Sequence, residues 1–447
     1  MSSTENKYVR VAIIGGGITG VILALGLQKR GVQYTLYERT LAFTEIGAGI
    51  GFSPNAERAL NVVDPEVHRA YKRVASSSDA EEYFQWIDGY KTNELAARLL
   101  IGVDAFQGGR RSDFLEEWSK LIDSDKVKFG KELVSIDHKS EGRVLLKFKD
   151  GTIEESDIVI GCDGINSRVR RIMLGDDNPA SYPSYTKKYC FRALVPMDKA
   201  KEALGEERVA GGDKSLNRFM YNGPNAHCIH YPVAKGQFMN ILLVITDPNP
   251  WHTEDGKHTA PGKKSDAIRA YADWHPRVRA MIDLLPEELQ KWAIFDMFEN
   301  PAPRYDRDGI AIAGDAAHAV GPHLGSGAGF GIEDSLVLAT LLEAANAKLD
   351  GQSQGLKIDL CRAALTAYNN TRYDRTQWLI GATREAGALF QWQDKEVGSD
   401  FEKFLPKISN IFHTIWNNDI DKMVQGSLAE YEKVLAKGLN GQVSLPN

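Results

Sequence analysis

Val9-Arg10-Val11-Ala12-Ile13-Ile14-Gly15-Gly16-Gly17-Ile18-Thr19-Gly20 opens the first structured unit and decides how the rest of the chain is read. The apolar, partly β-branched run from Val9 to Ile14 has the pattern of a buried parallel strand. It passes into Gly15-x-Gly17-x-x-Gly20, and an apolar helical pattern follows (Val21, Leu23, Ala24, Leu25, Leu27) that ends at Gly31. Val32 to Tyr37 reads as a second strand, closed by Glu38. In a strand–turn–helix unit that holds a dinucleotide, Gly15 allows the tight turn and Gly17 lets a pyrophosphate approach the backbone. Gly20 lets the helix pack on the strand. The orphan amides and positive dipole end of the helix face the pyrophosphate. Glu38, 18 residues beyond Gly20, is placed to accept hydrogen bonds from an adenosine ribose. Glycine-rich turns are common, but here strand, helix, second strand and acid stand in register, so the prediction is a dinucleotide-binding unit.

A chain of 447 residues is too long for one compact core, and two or three structural units are expected. The net charge is −6 and no long basic run appears, which argues against nucleic acid and anionic membrane surfaces as partners. Cys162, Cys190, Cys228 and Cys361 form no CxxC pair and no zinc spacing, which suits a reducing compartment. Residues 11–27 are apolar, yet three consecutive glycines interrupt them and no cleavage-like site follows. The expectation is a cytoplasmic, unanchored protein.

Further along, Glu45-Ile46-Gly47-Ala48-Gly49-Ile50-Gly51-Phe52-Ser53-Pro54-Asn55 spaces three glycines alternately before a helix start. It is either a backbone passing close to a flat ligand or a surface loop. Tyr83, Phe84 and Trp86 mark strand-like pieces, and Gly108-Gly109-Arg110-Arg111 leads into a helix. Arg111 there could reach a phosphate or ribityl oxygen, or be a solvated charge. Residues 127–150 alternate apolar and polar, with Asp150-Gly151 as a hairpin turn. Ile158 to Gly161 is another buried strand, ending in Asp163-Gly164, and Ser167 opens a helix. From about 180 to 285 the texture turns strand-rich with no β-α-β rhythm, predicting a mainly antiparallel unit. Gly309 to Ala313 returns to a buried strand before Asp315, and glycines at 325, 327 and 329 precede a long helix expected over 331–347. The last hundred residues read as helical, for packing or a homodimer surface, with a looser segment at Asp350–Gly355.

Three motifs in this order, Gly15-x-Gly17-x-x-Gly20, Asp163-Gly164 and Gly314-Asp315, resemble the single-component flavoprotein monooxygenases of the para-hydroxybenzoate hydroxylase type. The string Gly314-Asp315-Ala316-Ala317-His318-x-x-x-Pro322-x-x-Gly325-x-Gly327-x-Gly329-x-x-x-Glu333-Asp334 is the most specific of these resemblances. It points to the salicylate hydroxylases and to the fungal phenol-hydroxylating and dearomatising enzymes related to them. The likeness spans roughly residues 8–345. It implies an α/β fold: a Rossmann-like FAD-binding domain, an inserted antiparallel-sheet substrate domain and a helical C-terminal region. Boundaries are expected at 1–80, 100–180 and 285–345 for the first, 81–99 and 181–284 for the second, and 346–447 for the third.

The resemblance further implies FAD as cofactor. Gly15, Gly17 and Gly20 would meet its pyrophosphate, Glu38 its adenosine ribose and Arg111 its ribityl or pyrophosphate region, with Arg39 and Gly49 also expected at the cofactor. Asp163 and Gly164 would bear on both FAD and the nicotinamide coenzyme. Asp315 would bind ribityl oxygens, while Pro322, Gly325, Gly327, Ala328 and Gly329 would line the pyrimidine end. Amides at that end would stabilise the reduced, anionic flavin. Only one complete GxGxxG unit exists, so NADH or NADPH is expected to visit transiently. The implied reaction inserts one oxygen atom from O2 into a phenolic or aromatic molecule through a flavin hydroperoxide, with no catalytic metal.

In Phe191-Arg192-Ala193-Leu194-Val195-Pro196, Arg192 resembles the family's pocket arginine and would bind a phenolate or carboxylate; otherwise it is a salt-bridged sheet residue. His227 and Tyr231 share one face of a strand, with His230 on the other, and either could deprotonate or orient a hydroxyl. His318 and His323 are flavin-adjacent candidates or structural histidines. Val320-Gly321 and Phe330-Gly331 depart from the common salicylate-type string, which makes a phenolic natural-product intermediate at least as good an expectation as salicylate. The alternatives are a reductase or dehydrogenase on the same fold, a halogenase, whose Trp-x-Trp-x-Ile-Pro string is missing, or a nucleotide-binding regulator without activity.

Overall fold

The computed structural model describes residues 8–43, 49–75, 79–206, 218–233, 236–253, 257–349 and 354–439. The segment Glu45 to Ala48 of the glycine-spaced loop, and most of the 350–355 stretch, lie outside the described residues.

The opening stretch folds as its spacing demands. Strand Arg10–Ile14 is the centre of a six-stranded sheet, parallel to Gln33–Tyr37 on one side and to Ile158–Gly161 on the other. Ile158–Gly161 in turn pairs in parallel with Ile310–Ile312. A central parallel strand needs apolar residues on both faces, and Val11 through Ile14 are all buried. Helix Ile18–Lys29 lies against helix Gly327–Ala347, where a Cβ on Gly26 would stand 3.0 Å from the Ala339 methyl. Gly20 has a stricter reason to be glycine, because any Cβ there would run into the carbonyl oxygen of Gly15. The helix expected over 331–347 begins four residues earlier, so Gly327 and Gly329 lie inside its first turn rather than before it.

The second unit is an eight-stranded sheet in the order Thr259–Lys263, Glu288–Asp296, Ser184–Pro196, Phe238–Thr246, Ala226–Val233, Arg218–Gly223, Glu81–Asp88, Leu95–Val103. Every neighbouring pair is antiparallel except Arg218–Gly223 beside Glu81–Asp88. Two expected boundaries move. Glu288–Asp296 pairs with Ser184–Pro196, so it belongs to this sheet and not to a segment starting at 285. Leu95–Val103 is one strand, which carries the sheet past 99.

The two faces of this sheet have different fates. Phe191, Leu243, Cys228, Tyr221 and Ile87 face a core with Tyr271, Trp274 and Met281 from the short helices that follow. The other face is divided. Over Glu81–Asp88 and Leu95–Val103 it is roofed by the C-terminal helices, where Phe84 stacks on Phe412 at 5.0 Å and Trp86 meets Phe404 edge-on at 5.3 Å. Helix Phe401–Trp416 is capped by Asp400, which accepts from the amides of Glu402 and Lys403. Its buried Phe404, Ile408, Ile411, Phe412 and Ile415 form one apolar stripe, each contributing about 1.5–3 kcal/mol. Over Ser184–Pro196, Phe238–Thr246 and Ala226–Val233 the same face is open, and it becomes the floor of a cavity.

Candidate active site

A single cavity of about 1250 Å³ runs from the glycine turn to this floor. That exceeds the ~300–1,000 Å³ of an ordinary small-molecule pocket.

At one end Gly15, Gly16 and Gly17 line it beside Glu38 and Arg39. The Glu38 carboxylate closes the turn, accepting from the amide of Gly16 at 2.6 Å and from the amide and hydroxyl of Thr40 at 2.8 and 2.9 Å. Gly17 is the N-cap of helix Ile18–Lys29, with no side-chain cap and no acid in the first turn. A Cβ on Gly17 would find no atom within 4 Å, so the turn is hollow where a ligand would enter. A second bare helix start faces the same cavity. Ser326, N-cap of Gly327–Ala347, turns its hydroxyl back to the Leu324 carbonyl at 3.0 Å and leaves the amides uncapped. Gly325, in the left-handed region at φ +61°, makes the turn into it. Two helix N-termini with no side-chain cap and no acid in their own first turn offer free amides to an anion that arrives.

Between these ends lie Gly49, Arg111, Asp163, Gly164, Asp315, Pro322, Gly327 and Ala328. Arg111 starts helix Arg111–Ser119. The Asp315 carboxylate is exposed, beside Gly327. Asp163, on the cavity wall, also has a role within the fold. Its carboxylate accepts from Ser167 Oγ at 2.5 Å and from the amides of Arg168 and Val169 at 2.7 and 3.1 Å, capping helix Arg168–Leu174. Burial pushes its carboxyl up despite those bonds. Gly20 and Gly329, also expected at the cofactor, do not line the cavity. Gly20 packs on the turn, and a Cβ on Gly329 would meet Ala56 at 3.0 Å.

The floor is ordered by strand register. Leu194, Asn240 and Tyr231 form one row, Arg192, Leu242, Ile229 and Met220 the next, and Cys190, Val244 and His227 a third. Arg192, His227 and Tyr231 therefore share this face and all line the cavity, while His230 turns away against Tyr221. The Arg192 guanidinium lies 5.9 Å from the Trp292 ring centre. The alternative role of a salt-bridged sheet residue finds no carboxylate partner among the described residues. Burial raises the Tyr231 hydroxyl, with Arg192 and Arg218 pulling partly the other way, so it stays a donor. Burial lowers His227, helped by His323 and Lys188. His323 stands with its ring centre 5.3 Å from that of His227 and is pushed down to about 3 by burial, Lys188 and Arg384. Both rings are neutral at ordinary pH.

His318 is structural. Fully buried, its Nε2 lies 2.6 Å from Asp334 Oδ2, and Asp334 also accepts from the Gly314 amide at 3.0 Å and Arg372 Nε at 2.7 Å. Asn240, Trp292, Met220 and Phe412 line the cavity without having been singled out in sequence. Their only signal was alternation within strands and the apolar stripe of a helix, which a plain core shares.

Comparison with known proteins decides the family. Residues 8–358 match the model of the FAD binding domain family. The chain belongs to this family. It is an FAD-dependent monooxygenase. It is 44% identical over 441 residues to the FAD-dependent monooxygenase orf3 of Aspergillus niger, covering 96% of this chain and 98% of that one. It is 38% identical to the salicylate hydroxylase asL1 of Sarocladium schorii, covering 99% and 96%. A solved salicylate hydroxylase substrate complex superposes with a TM-score of 0.82 at 27% identity, covering 95% and 98%. CtdE in complex with FAD and its substrate 4 shares the fold, with a TM-score of 0.78 at 18% identity over 96% of this chain and 100% of that one. FAD fits the residues present: a glycine turn hollow at Gly17, two uncapped helix starts, and the acids Glu38 and Asp315 along the cradle.

Proposed function

We propose that FAD lies along the cradle and that a phenolic substrate lies on the sheet floor, held by Arg192 and Tyr231. Gly15, Gly17, Glu38, Arg39, Gly49, Arg111, Gly164 and Asp315 would serve the adenosine-to-ribityl length, with Asp163 shaping the loop. Pro322, Gly325, Gly327 and Ala328 would face the ring system. The glycine-turn unit would be the FAD-binding domain and the eight-stranded sheet the substrate domain. Held there, FAD would supply the redox chemistry: acceptance of a hydride from NADH or NADPH and activation of the O2 whose oxygen atom enters the ring.

One observation carries this reading: strand register brings Arg192, Tyr231 and His227 to the face that closes the cradle's own cavity. Arg192 supplies a fixed cation for the phenolate oxygen, and a charged partner makes that hydrogen bond stronger than a neutral one. Tyr231, kept protonated, donates to the same oxygen. Neutral His227 orients the ring's other polar group; as a buried, weak base it is better suited to that than to deprotonation. Trp292, Ile229, Leu242 and Val244 exclude water from the ring. The substrate class is thus an electron-rich phenol, with hydroxylation or hydroxylative dearomatisation as the outcome. The four cysteines are buried and unpaired and no described helix is long and apolar enough to cross a membrane, which supports placement in the cytoplasm. A homodimer is left to light scattering.

Arg192→Ala tests the floor. Losing a charge-assisted hydrogen bond is worth about 1.5–3 kcal/mol, so phenol affinity, read from perturbation of the flavin absorbance, is expected to fall by roughly 10- to 150-fold. Unchanged affinity and turnover would remove Arg192 from the substrate.

A further inference from the structure

Lys188 stands on strand Ser184–Pro196, two residues before Cys190 and four before Arg192, on the face that floors the cavity. It is only 9% exposed. Its ammonium donates to Gln391 Oε1, to Gln393 Oε1 at 2.8 Å and to Thr246 Oγ1 at 3.1 Å. All three acceptors are neutral, and among the described residues no carboxylate lies within ion-pairing distance. The cation that faces it, Arg384, is itself paired with Asp296 at 2.5 Å. A buried ammonium without a counter-charge is disfavoured, and burial, with Arg384, brings Lys188 down to about 8. At neutral pH it is still mostly a cation.

The surroundings are built to keep it there. Gln391 is itself anchored, its Nε2 donating to the Val244 carbonyl at 3.2 Å, and Gln393 Nε2 donates to Thr246 Oγ1 at 3.0 Å. Both glutamines come from the end of the long helix Gln354–Phe390 and the turn after it, so two distant chain segments converge to satisfy this one group. A neutral side chain would need none of that. His227 and His323 line the cavity while Lys188 does not, and the Lys188 charge helps to lower both rings. Neither ring can answer it with a negative charge, and neither Nδ1 has a hydrogen-bond partner among the described residues. Of the other cations at the floor, Arg218 is paired with Glu82 at 2.6 Å, which leaves Arg192 and Lys188 as the two without a carboxylate among the described residues.

We propose that Lys188 is a second, through-space cation of the substrate site, which holds a phenolic substrate in its anionic form together with Arg192. The proposal rests on the phenol reading above. Lys188 is a positioning residue: it touches no substrate, and it acts by its field across the histidine pair. At ~3.3 Å per residue the Cα atoms of Lys188 and Arg192 are about 13 Å apart along the strand, and a phenolate bound between Arg192 and the histidines is taken to lie on the order of 10 Å from the Lys188 charge. One unit charge at that distance, in an effective dielectric of about 20, shifts the ionisation of a bound phenol by about one pH unit.

The test uses full-length enzyme with FAD bound and 4-nitrophenol as probe, its anion followed by visible difference spectra from pH 5 to 9. In Lys188→Met the bound probe's ionisation midpoint is expected to rise by about one unit, a tenfold loss of anion preference at fixed pH. Lys188→Arg, which keeps the charge, is expected to restore the wild-type midpoint. Lys188→Gln gives the same reading as Lys188→Met should the methionine variant fail to hold FAD. A midpoint indifferent to loss of the charge overturns the proposal alone, as does a Lys188→Arg enzyme that titrates like Lys188→Met. A wild-type enzyme that binds no 4-nitrophenol anion overturns the phenol reading and the proposal together.

Discussion

Gly17→Ala separates what the glycine turn does for folding from what it does for the cofactor. The backbone at Gly17 has φ −75° and ψ −176°, open to any residue, and an added methyl would meet no protein atom within 4 Å. The apo fold therefore has nothing to lose. By restricting the unfolded chain, alanine should leave stability unchanged or raise it by up to ~1 kcal/mol. The methyl would instead occupy the hollow through which a pyrophosphate reaches the amides of the helix start. Losing one such hydrogen bond to a charged group is worth about 1.5–3 kcal/mol, or roughly 10- to 150-fold in FAD affinity. The assay pairs two measurements on one preparation: thermal unfolding of the apoprotein, and FAD titration followed by quenching of flavin fluorescence. The expected result is an unchanged apo melting temperature with sharply weaker FAD binding. Undiminished FAD affinity would show that the cofactor does not lie on this turn. A fall in apo stability would show that the hollow is not the open space described. Gly20→Ala is the contrast, because its Cβ would collide with the Gly15 carbonyl, and fold and cofactor should be lost together.

Two further predictions concern the joint between cradle and floor and the buried charges behind it. A Cβ on Gly49 would sit 3.0 Å from the Tyr231 hydroxyl, so Gly49→Ala should weaken phenol binding several-fold, and by less in a Tyr231→Phe background; additive effects in the double-mutant cycle would show that the contact is not felt. Burial alone would raise the Glu333 carboxyl, but Arg372 at 2.7 Å and Arg375 at 2.9 Å overrule it and hold it at about 2. A carboxyl lower in the folded than in the unfolded chain adds stability above about pH 4.5 that disappears as pH falls toward 2, here about 3 kcal/mol. Urea unfolding between pH 2.5 and 6 should show that slope flattened in Glu333→Gln, and an identical slope would refute the assignment.

What was legible in the sequence is what local rules govern. The strand before Gly15, the tight turn, Ser167 as an N-cap and the Asp150-Gly151 hairpin each depend on a few neighbouring residues, and each appears where the spacing placed it. The placement of Arg192, His227 and Tyr231 on one face followed from the period of a strand plus a resemblance. What was not legible depends on contacts between distant segments. Nothing local in Glu288–Asp296 says that it pairs with Ser184–Pro196 rather than returning to the first sheet. Phe412 is one of several apolar positions on a helical stripe, and only the packed structure shows that this one ends the cavity. The motif put Asp163 at the cofactor, and it does line the cavity, but nothing in the motif says that its oxygens also cap a helix beginning five residues later. The charge of Lys188 is conspicuous only once its burial, and the neutrality of its partners, are seen.

The six-stranded sheet draws on strands from both ends of a long stretch of chain, with Arg10–Ile14 at its centre and Ile310–Ile312 completing one side. A ribosome delivers the first of these long before the second, and domains form as their segments emerge. The glycine turn, Asp315 and the uncapped start of Gly327–Ala347 can face one another only after most of the chain, including the whole eight-stranded sheet, has been made. Until then the edge of Ile158–Gly161 that awaits Ile310–Ile312 is unpaired, a site open to chaperones or to wrong pairing. An FAD held across these segments would therefore be bound only late in the making of the chain.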